Sequence, residues 1–329
     1  MNRRELFHKT LSATALAATT GLAAHQIRGL RTPNRAPESS KVAVLKCDSY
    51  ARCLSVVRAG LRLLRPAIQA KRVLLKPNLV ESSPLAPINT NPLLIAAAVE
   101  VFLELGAASV VVGEGPGHIR DTELLLDESG LGKELRTVGR VQFIDLNFDS
   151  VREVSPASNA TSLKELWLPE SILSADVVVS MPKIKTHHWA GVTLSLKNLF
   201  GVMPGSIYGW PKNVLHWEGI ENSIVELASS VPVHLVIADG IVAMQGNGPL
   251  HGQPKALGCL VFANDPVAAD ATCCRLMGIE PARVKHLAMA ASLGNIKKSR
   301  IEQRGESITS LIQPFDLIPL FTGLRRSVE

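Results

Sequence analysis

An α/β fold, with a mostly parallel central sheet and helices on both faces, is what this sequence predicts. Three observations carry the prediction. Short continuous apolar runs alternate with stretches of helical spacing along most of the chain. Several of those runs end in unusually polar segments, where parallel strands present their ligands. Aromatic residues make up only 4% of a chain that is 46% hydrophobic, which favours α/β packing over an aromatic-rich lectin-like or sandwich fold.

The elements follow in order. Residues 42–46 read as a strand, and 50–64 as a helix with Leu54, Val57, Leu61 and Leu64 on one face. The strand 73–75 ends at Lys76-Pro77-Asn78. A helix starts at Asn91-Pro92, with proline in its first position, and runs to Leu105 before Gly106 stops it. The strand 109–112 ends at Gly113-Glu114-Gly115-Pro116-Gly117, and 141–146 is another strand. The strand 176–180 runs into Met181-Pro182-Lys183, after which a loop carrying lysines and histidines is expected. Residues 193–200 suggest a short helix stopped at Gly201, and 217–227 a helix with Glu218 and Glu221 at its positive end. The strand 233–238 ends at Asp239-Gly240, and 257–263 leads to Asp265-Pro266, a capping residue followed by a first-turn proline. Two last helices are expected at 266–277 and 281–293.

The chain of 329 residues is long enough for one large domain or two modest ones. Arg3-Arg4, a weakly apolar stretch over 11–24 and Gly21-Leu22-Ala23 have the order of a bacterial twin-arginine export signal over 1–23. Residues 24–40 read as a linker, 41–295 as the α/β domain, 183–256 as an inserted lobe or lid, and 296–329 as a C-terminal extension. The expected location is extracytoplasmic, with the export machinery as a partner and membrane contact only through an uncleaved signal. The formal charge is +6, but six basic residues against two glutamates lie in the first forty positions. The remainder is near balance and shows no basic stripe with interleaved aromatics, so nucleic-acid binding is not expected. Cys47, Cys53, Cys259, Cys273 and Cys274 have no CxxC spacing, so no iron–sulfur cluster is expected from them. They read as buried apolar side chains, with a Cys47–Cys53 disulfide as the alternative.

In open α/β sheets, ligands bind beyond the carboxyl ends of the strands. Lys76, Asn78, Glu114 and Asp239 stand at such ends, with Asn198 nearby, and are candidate substrate-binding residues. Lys183, Lys185, His187, His188 and Lys197 are candidate catalytic residues: lysines beside apolar strands suit an anion or a lowered pKa, and histidines suit proton transfer. A divalent metal is a candidate cofactor, with His187, His188, His216, Asp265 and Asp270 as its candidate ligands, although the spacing meets no metal template. Solvated loop lysines and a capping Asp265 are the plainer readings.

These segments resemble the domain of unknown function 362 family. The resemblance rests on Leu74-Leu75-Lys76-Pro77-Asn78-Leu79, on 175–187 with its Pro182-Lys183-Ile184-Lys185-Thr186-His187, and on 193–201 with its Leu196-Lys197-Asn198. Asp239-Gly240-Ile241, Gly246-Asn247-Gly248-Pro249 and Asp265-Pro266-Val267-Ala268-Ala269-Asp270 complete it, over about residues 41–295. The resemblance implies no particular activity, because the family is named for the lack of one. Some relatives carry an added ferredoxin-like segment with cysteine clusters, which this chain lacks. The functional expectation is an exported enzyme handling a small carboxylate- or phosphate-bearing substrate by Lys/His/Asp acid–base chemistry. The alternative is a non-catalytic periplasmic accessory protein that binds a metal or cofactor.

Overall fold

The computed structural model describes residues 36–81, 83, 86–117 and 121–326. The first three strands are β1 (Ser40–Lys46), β2 (Arg72–Pro77) and β3 (Ser109–Glu114). Next come β4 (Val141–Asp145), β5 (Val151–Val154), β6 (Leu166–Pro169) and β7 (Val177–Met181). Then follow β8 (Lys183–His187), β9 (Gly191–Thr193), β10 (Leu235–Gln245), β11 (Gln253–Lys255), β12 (Cys259–Ala263) and β13 (Ile301–Gly305). Eleven of them form one sheet, whose main path runs β13-β1-β12-β10-β7-β2-β3-β4. The half from β10 to β4 is parallel throughout, while β12 lies antiparallel to both its neighbours. Strand β8 pairs parallel with β10 and carries β9 on its other edge; β5 and β6 make a separate hairpin.

Strand side chains alternate between faces, so a sheet buried on both sides feeds two cores. Val73 and Leu75 pack with α1 (Cys53–Leu64), α2 (Pro92–Glu104), α3 (Thr122–Glu128) and α4 (Leu131–Val138). Leu74 and Val178 face the opposite core. There they meet α5 (Glu170–Ser174), α6 (Ser195–Asn198), α7 (Gly205–Tyr208), α8 (Asn213–Trp217), α9 (Ile220–Ser230), α10 (Pro266–Leu276) and α11 (Lys285–Met289). The caps read from sequence are present. Asn91 accepts from Leu93 N at 3.0 Å with Pro92 in the first turn, and Asp265 accepts from Val267 N at 2.8 Å and Ala268 N at 3.2 Å.

Several expectations need correction. The segment taken for a loop at Lys183–His187 is strand β8. The strand is buried on both faces, so its polar side, Lys183, Lys185 and His187, lies as deep as Ile184 and Thr186. Residues 193–200 begin in β9 rather than in a helix. Gly219, at φ +88°, breaks 217–227 into α8 and α9. The expected 281–293 helix is α11 between two short 3-10 turns. β10 continues past Asp239-Gly240 to Gln245.

The stretch 183–256 is not a separate lobe, because its strands β8 to β11 all join the main sheet and the described residues belong to one compact unit. The C-terminal extension supplies β13, parallel to β1. All five cysteines are buried free thiols, Cys47 and Cys53 included. The export signal lies outside the described residues, as does the linker up to residue 35. Among the described residues, no helix is long and apolar enough to cross a membrane.

Candidate functional site

Two buried ion pairs frame the strand ends. Lys76, the next-to-last residue of β2, donates to Glu114 Oε2 at 2.6 Å, Asn198 Oδ1 at 3.0 Å and Pro77 O at 3.0 Å. Glu114 ends β3, and its carboxyl also accepts from Leu79 N and Gly115 N. Burial pulls Lys76 down and pushes Glu114 up, each opposed by the other. The pair as a unit adds no net charge. Gly201 closes over it: a Cβ there would overlap Glu114 Oε1 and lie 2.6 Å from Lys76 Nζ.

The second pair is Lys183 with Asp239, at 2.6 Å. Lys183 Nζ also donates to Tyr50 Oη at 3.0 Å and Val242 O at 3.1 Å, so its three protons are committed. Asp239 is fully buried and takes Asn91 N at 3.0 Å and the Tyr50 hydroxyl at 3.1 Å. Asn198 is likewise occupied, bridging Lys76 Nζ, Lys76 O and Ser180 Oγ. Lys183, Asp239 and Asn198, expected at the site, therefore hold the scaffold beneath it.

A cavity of ≈ 220 Å³ opens beyond β2 and β3, lined by Lys185, Lys197 and Lys212 as well as the Lys76–Glu114 pair. Lys185 is fully buried and donates to Ile88 O at 2.7 Å, with no carboxylate partner. Burial first, then the charges of Lys183 and Lys197, holds its ammonium form well below the usual lysine range. Lys197 Nζ stands 3.7 Å over the Phe200 ring and has no hydrogen-bond partner among the described residues. Burial and the Lys76 charge bring it down to about 7, against the pull of Glu114. Lys212 donates to Asn147 Oδ1 and is brought to about 7 mainly by burial. Its backbone sits at φ +70°, a left-handed conformation that a side-chain-bearing residue adopts only when its surroundings impose it.

The histidines are fixed in different tautomers. His187 Nδ1 accepts from Trp189 N at 3.0 Å and Ala190 N at 3.2 Å, so the neutral ring carries its proton on Nε2. Burial keeps it neutral, well below the ordinary histidine range. His188 Nδ1 faces Gly248 O at 2.9 Å and His216 Nδ1 faces Lys212 O at 3.1 Å. A carbonyl only accepts, so both rings donate from Nδ1, and in the neutral form each keeps its lone pair on Nε2. All three histidines line the cavity. The site thus offers one imidazole donor, two imidazole acceptors and three amines without a carboxylate.

The candidate metal set does not assemble. Asp265 is spent on the α10 cap, on Ser40 Oγ at 2.5 Å and on Asn295 N; Asp270 accepts from Ser195 N at 2.7 Å and Leu196 N at 3.0 Å, starting α6. The Trp189 indole packs edge-on against both His188 and His216, and among the described residues no group of three or more His, Cys, Asp or Glu could hold a metal ion. Of the expected site residues, Lys76, Asn78, Glu114, Lys185, His187, His188, Lys197 and His216 line the cavity. Sequence reasoning missed Lys212, Thr193, Trp189 and Phe200. For Lys212 the only signal was its place in Gly209-Trp210-Pro211-Lys212, a turn sequence.

Fold and site together define an α/β protein with a cation-rich cavity at the carboxyl ends of parallel strands. A family model described as "Domain of unknown function (DUF362)" matches residues 73–275, and the chain belongs to this family. The thylakoid-associated protein sll1697 of Synechocystis sp. is 30% identical over 230 residues, 68% of either chain. Two solved structures are similar at lower levels. One is a Thermotoga maritima protein, with a TM-score of 0.42 and 12% identity over 70% of this chain. The other is the lactate racemase apoprotein of Thermoanaerobacterium thermosaccharolyticum, with a TM-score of 0.45 and 15% identity over 74% of this chain. The chain covers 60% and 58% of their lengths, and at these scores the likeness says nothing about chemistry.

Proposed function

We propose that the cavity binds a small anionic substrate, carboxylate- or phosphate-bearing, and that the protein is an enzyme acting on it by lysine and histidine acid–base chemistry. One observation carries this reading: among the described residues Lys185, Lys197 and Lys212 converge on one cavity with no carboxylate partner, while the lining carboxylate Glu114 is already held by Lys76. Buried amines without counter-charge are costly, and an anionic ligand relieves that cost.

Lys185, Lys197 and Lys212 clamp the anion. Lys197, brought to about 7, takes up a proton as the anion binds and is the proton donor best matched to the working pH. His187 donates from Nε2 to developing negative charge, and His188 and His216 accept from substrate hydroxyl or water. We also propose that the protein works outside the cytoplasm after twin-arginine export, on the strength of Arg3-Arg4 and the stretch that follows.

The test is calorimetric titration with acetate and phosphate, on protein purified and dialysed without chelator. Wild type should bind at least one of them with proton uptake near pH 7, and Lys197→Met should remove the binding. Equal binding by wild type and Lys197→Met would sink the reading.

A further inference from the structure

The cavity has a second character that the small-anion reading leaves unused. Five rings follow one another along its wall: His187 to His188 at 5.1 Å, His188 to Trp189 at 4.8 Å, Trp189 to His216 at 5.3 Å, and His216 to Phe200 at 5.6 Å between centroids. Lys197 Nζ closes the series over Phe200. The wall therefore runs from a buried amine to Trp189, which is 56% exposed. A cavity of ≈ 220 Å³ exceeds the roughly 150 Å³ that accommodates a benzene ring. A two-carbon acid would leave much of it empty.

Two buried polar atoms of lining residues, Asn78 Oδ1 and Thr193 Oγ1, have no hydrogen-bond partner among the described residues. Such atoms are rare in a finished core, and at a cavity wall a ligand can satisfy them.

We infer that the natural ligand is an aromatic anion: a planar ring bearing a carboxylate or phosphate, with the anionic group at Lys197, Lys185 and Lys212 and the ring against Trp189 and Phe200. This rests on the anion reading above and narrows it. Offset or edge contact with the ring wall rewards a flat π-system over an aliphatic chain. The orphaned Asn78 and Thr193 atoms favour a ring with a polar substituent.

The experiment compares matched probes by isothermal titration on the full-length protein: benzoate against acetate, and phenyl phosphate against phosphate. Each ring-bearing probe should bind at least about tenfold more tightly than its ringless counterpart. Trp189 is exposed, so Trp189→Ala should fold normally, which an unchanged Tm confirms, and it should bring the ratio in each matched pair down towards one. Ringless anions binding in a Lys197-dependent way with no ring preference would overturn this inference and leave the anion reading standing. A ring preference untouched by Trp189→Ala would overturn the assigned wall. Absence of Lys197-dependent binding for all four probes would overturn both readings.

Discussion

Anion affinity should fall steeply as pH rises through 7, and the steepness is set by two lysines. Lys197 and Lys212 both titrate near 7 in the free protein, chiefly because burial penalises their charged forms. An anion held by ammonium groups binds the protonated state. Between pH 6 and pH 8 the protonated fraction of a group with pKa 7 falls from about 0.9 to about 0.09, which lowers affinity about tenfold per lysine and about 100-fold for the two. At pH 7 each amine takes up about half a proton on binding, so uptake approaches about one proton per anion. His187 is held well below the ordinary histidine range and His216 is lowered from it, each first by burial. Benzoate or acetate is the right probe, because neither titrates between pH 6 and 8. Isothermal titration in buffers of different ionisation enthalpy reads affinity and proton uptake together. Lys212→Met should halve the logarithmic slope. A flat affinity from pH 6 to 8, or a full slope surviving in Lys212→Met, would refute the reasoning.

Other expectations follow from the framework. Lys197→Met should raise thermal stability most at or below pH 7, and its advantage should narrow as pH rises from about 7 towards 10.5. The folded pKa is depressed, so the unfolded chain holds the extra proton across that interval, and wild-type stability rises with pH there. Lys76→Ala strands Glu114 in the core and should cost about 3–5 kcal/mol by urea denaturation, while Lys76→Met with Glu114→Gln should recover most of that loss. Gly201→Ala should cost a comparable amount, because the added methyl group lands on the same ion pair. Tyr50→Phe removes a bond to each partner of the Lys183–Asp239 pair and should cost about 1–2 kcal/mol without changing benzoate affinity, since that pair lies outside the cavity.

Much of the fold was legible because the parallel strands are continuous apolar runs and the caps obey local chemistry, as at Asn91-Pro92 and Asp265-Pro266. The part that was not legible is β8. All five of its residues are buried, Lys183, Lys185 and His187 among them, so a pattern rule that sends polar residues to water reads a loop. The same reading suggests the inserted lobe, since without β8 the stretch 183–256 lacks a clean alternation of strands and helices. At the site, residue type located the strand ends but not the partners. Lys76 and Lys185 look alike in sequence, yet one meets Glu114 and the other the carbonyl groups of Ile88 and Pro249, because these partners are brought to them only by the fold. Lys212 was invisible for the same reason: nothing local marks a turn lysine as buried against Asn147.

The division among the lysines is itself an argument about function. Five buried or half-buried lysines stand at or beside these strand ends, and two of them, Lys76 and Lys183, are each held by a carboxylate at 2.6 Å. A fold can therefore supply counter-charge here, and does so for the lysines outside or at the floor of the cavity. Lys185, Lys197 and Lys212, which face the open space, receive only carbonyl, amide or ring contacts. A purely structural cluster would gain nothing from leaving three amines in that state, because each costs stability below its depressed pKa. Placing a carboxylate in the cavity wall separates the alternatives. Thr193→Asp and Thr193→Glu introduce one from a residue that also lines the cavity. If the missing charge belongs to a ligand, these variants should be more stable than wild type at pH 7 and should lose benzoate binding. Lower stability together with unchanged binding would mean that the amines are satisfied as they stand and that benzoate does not bind at them.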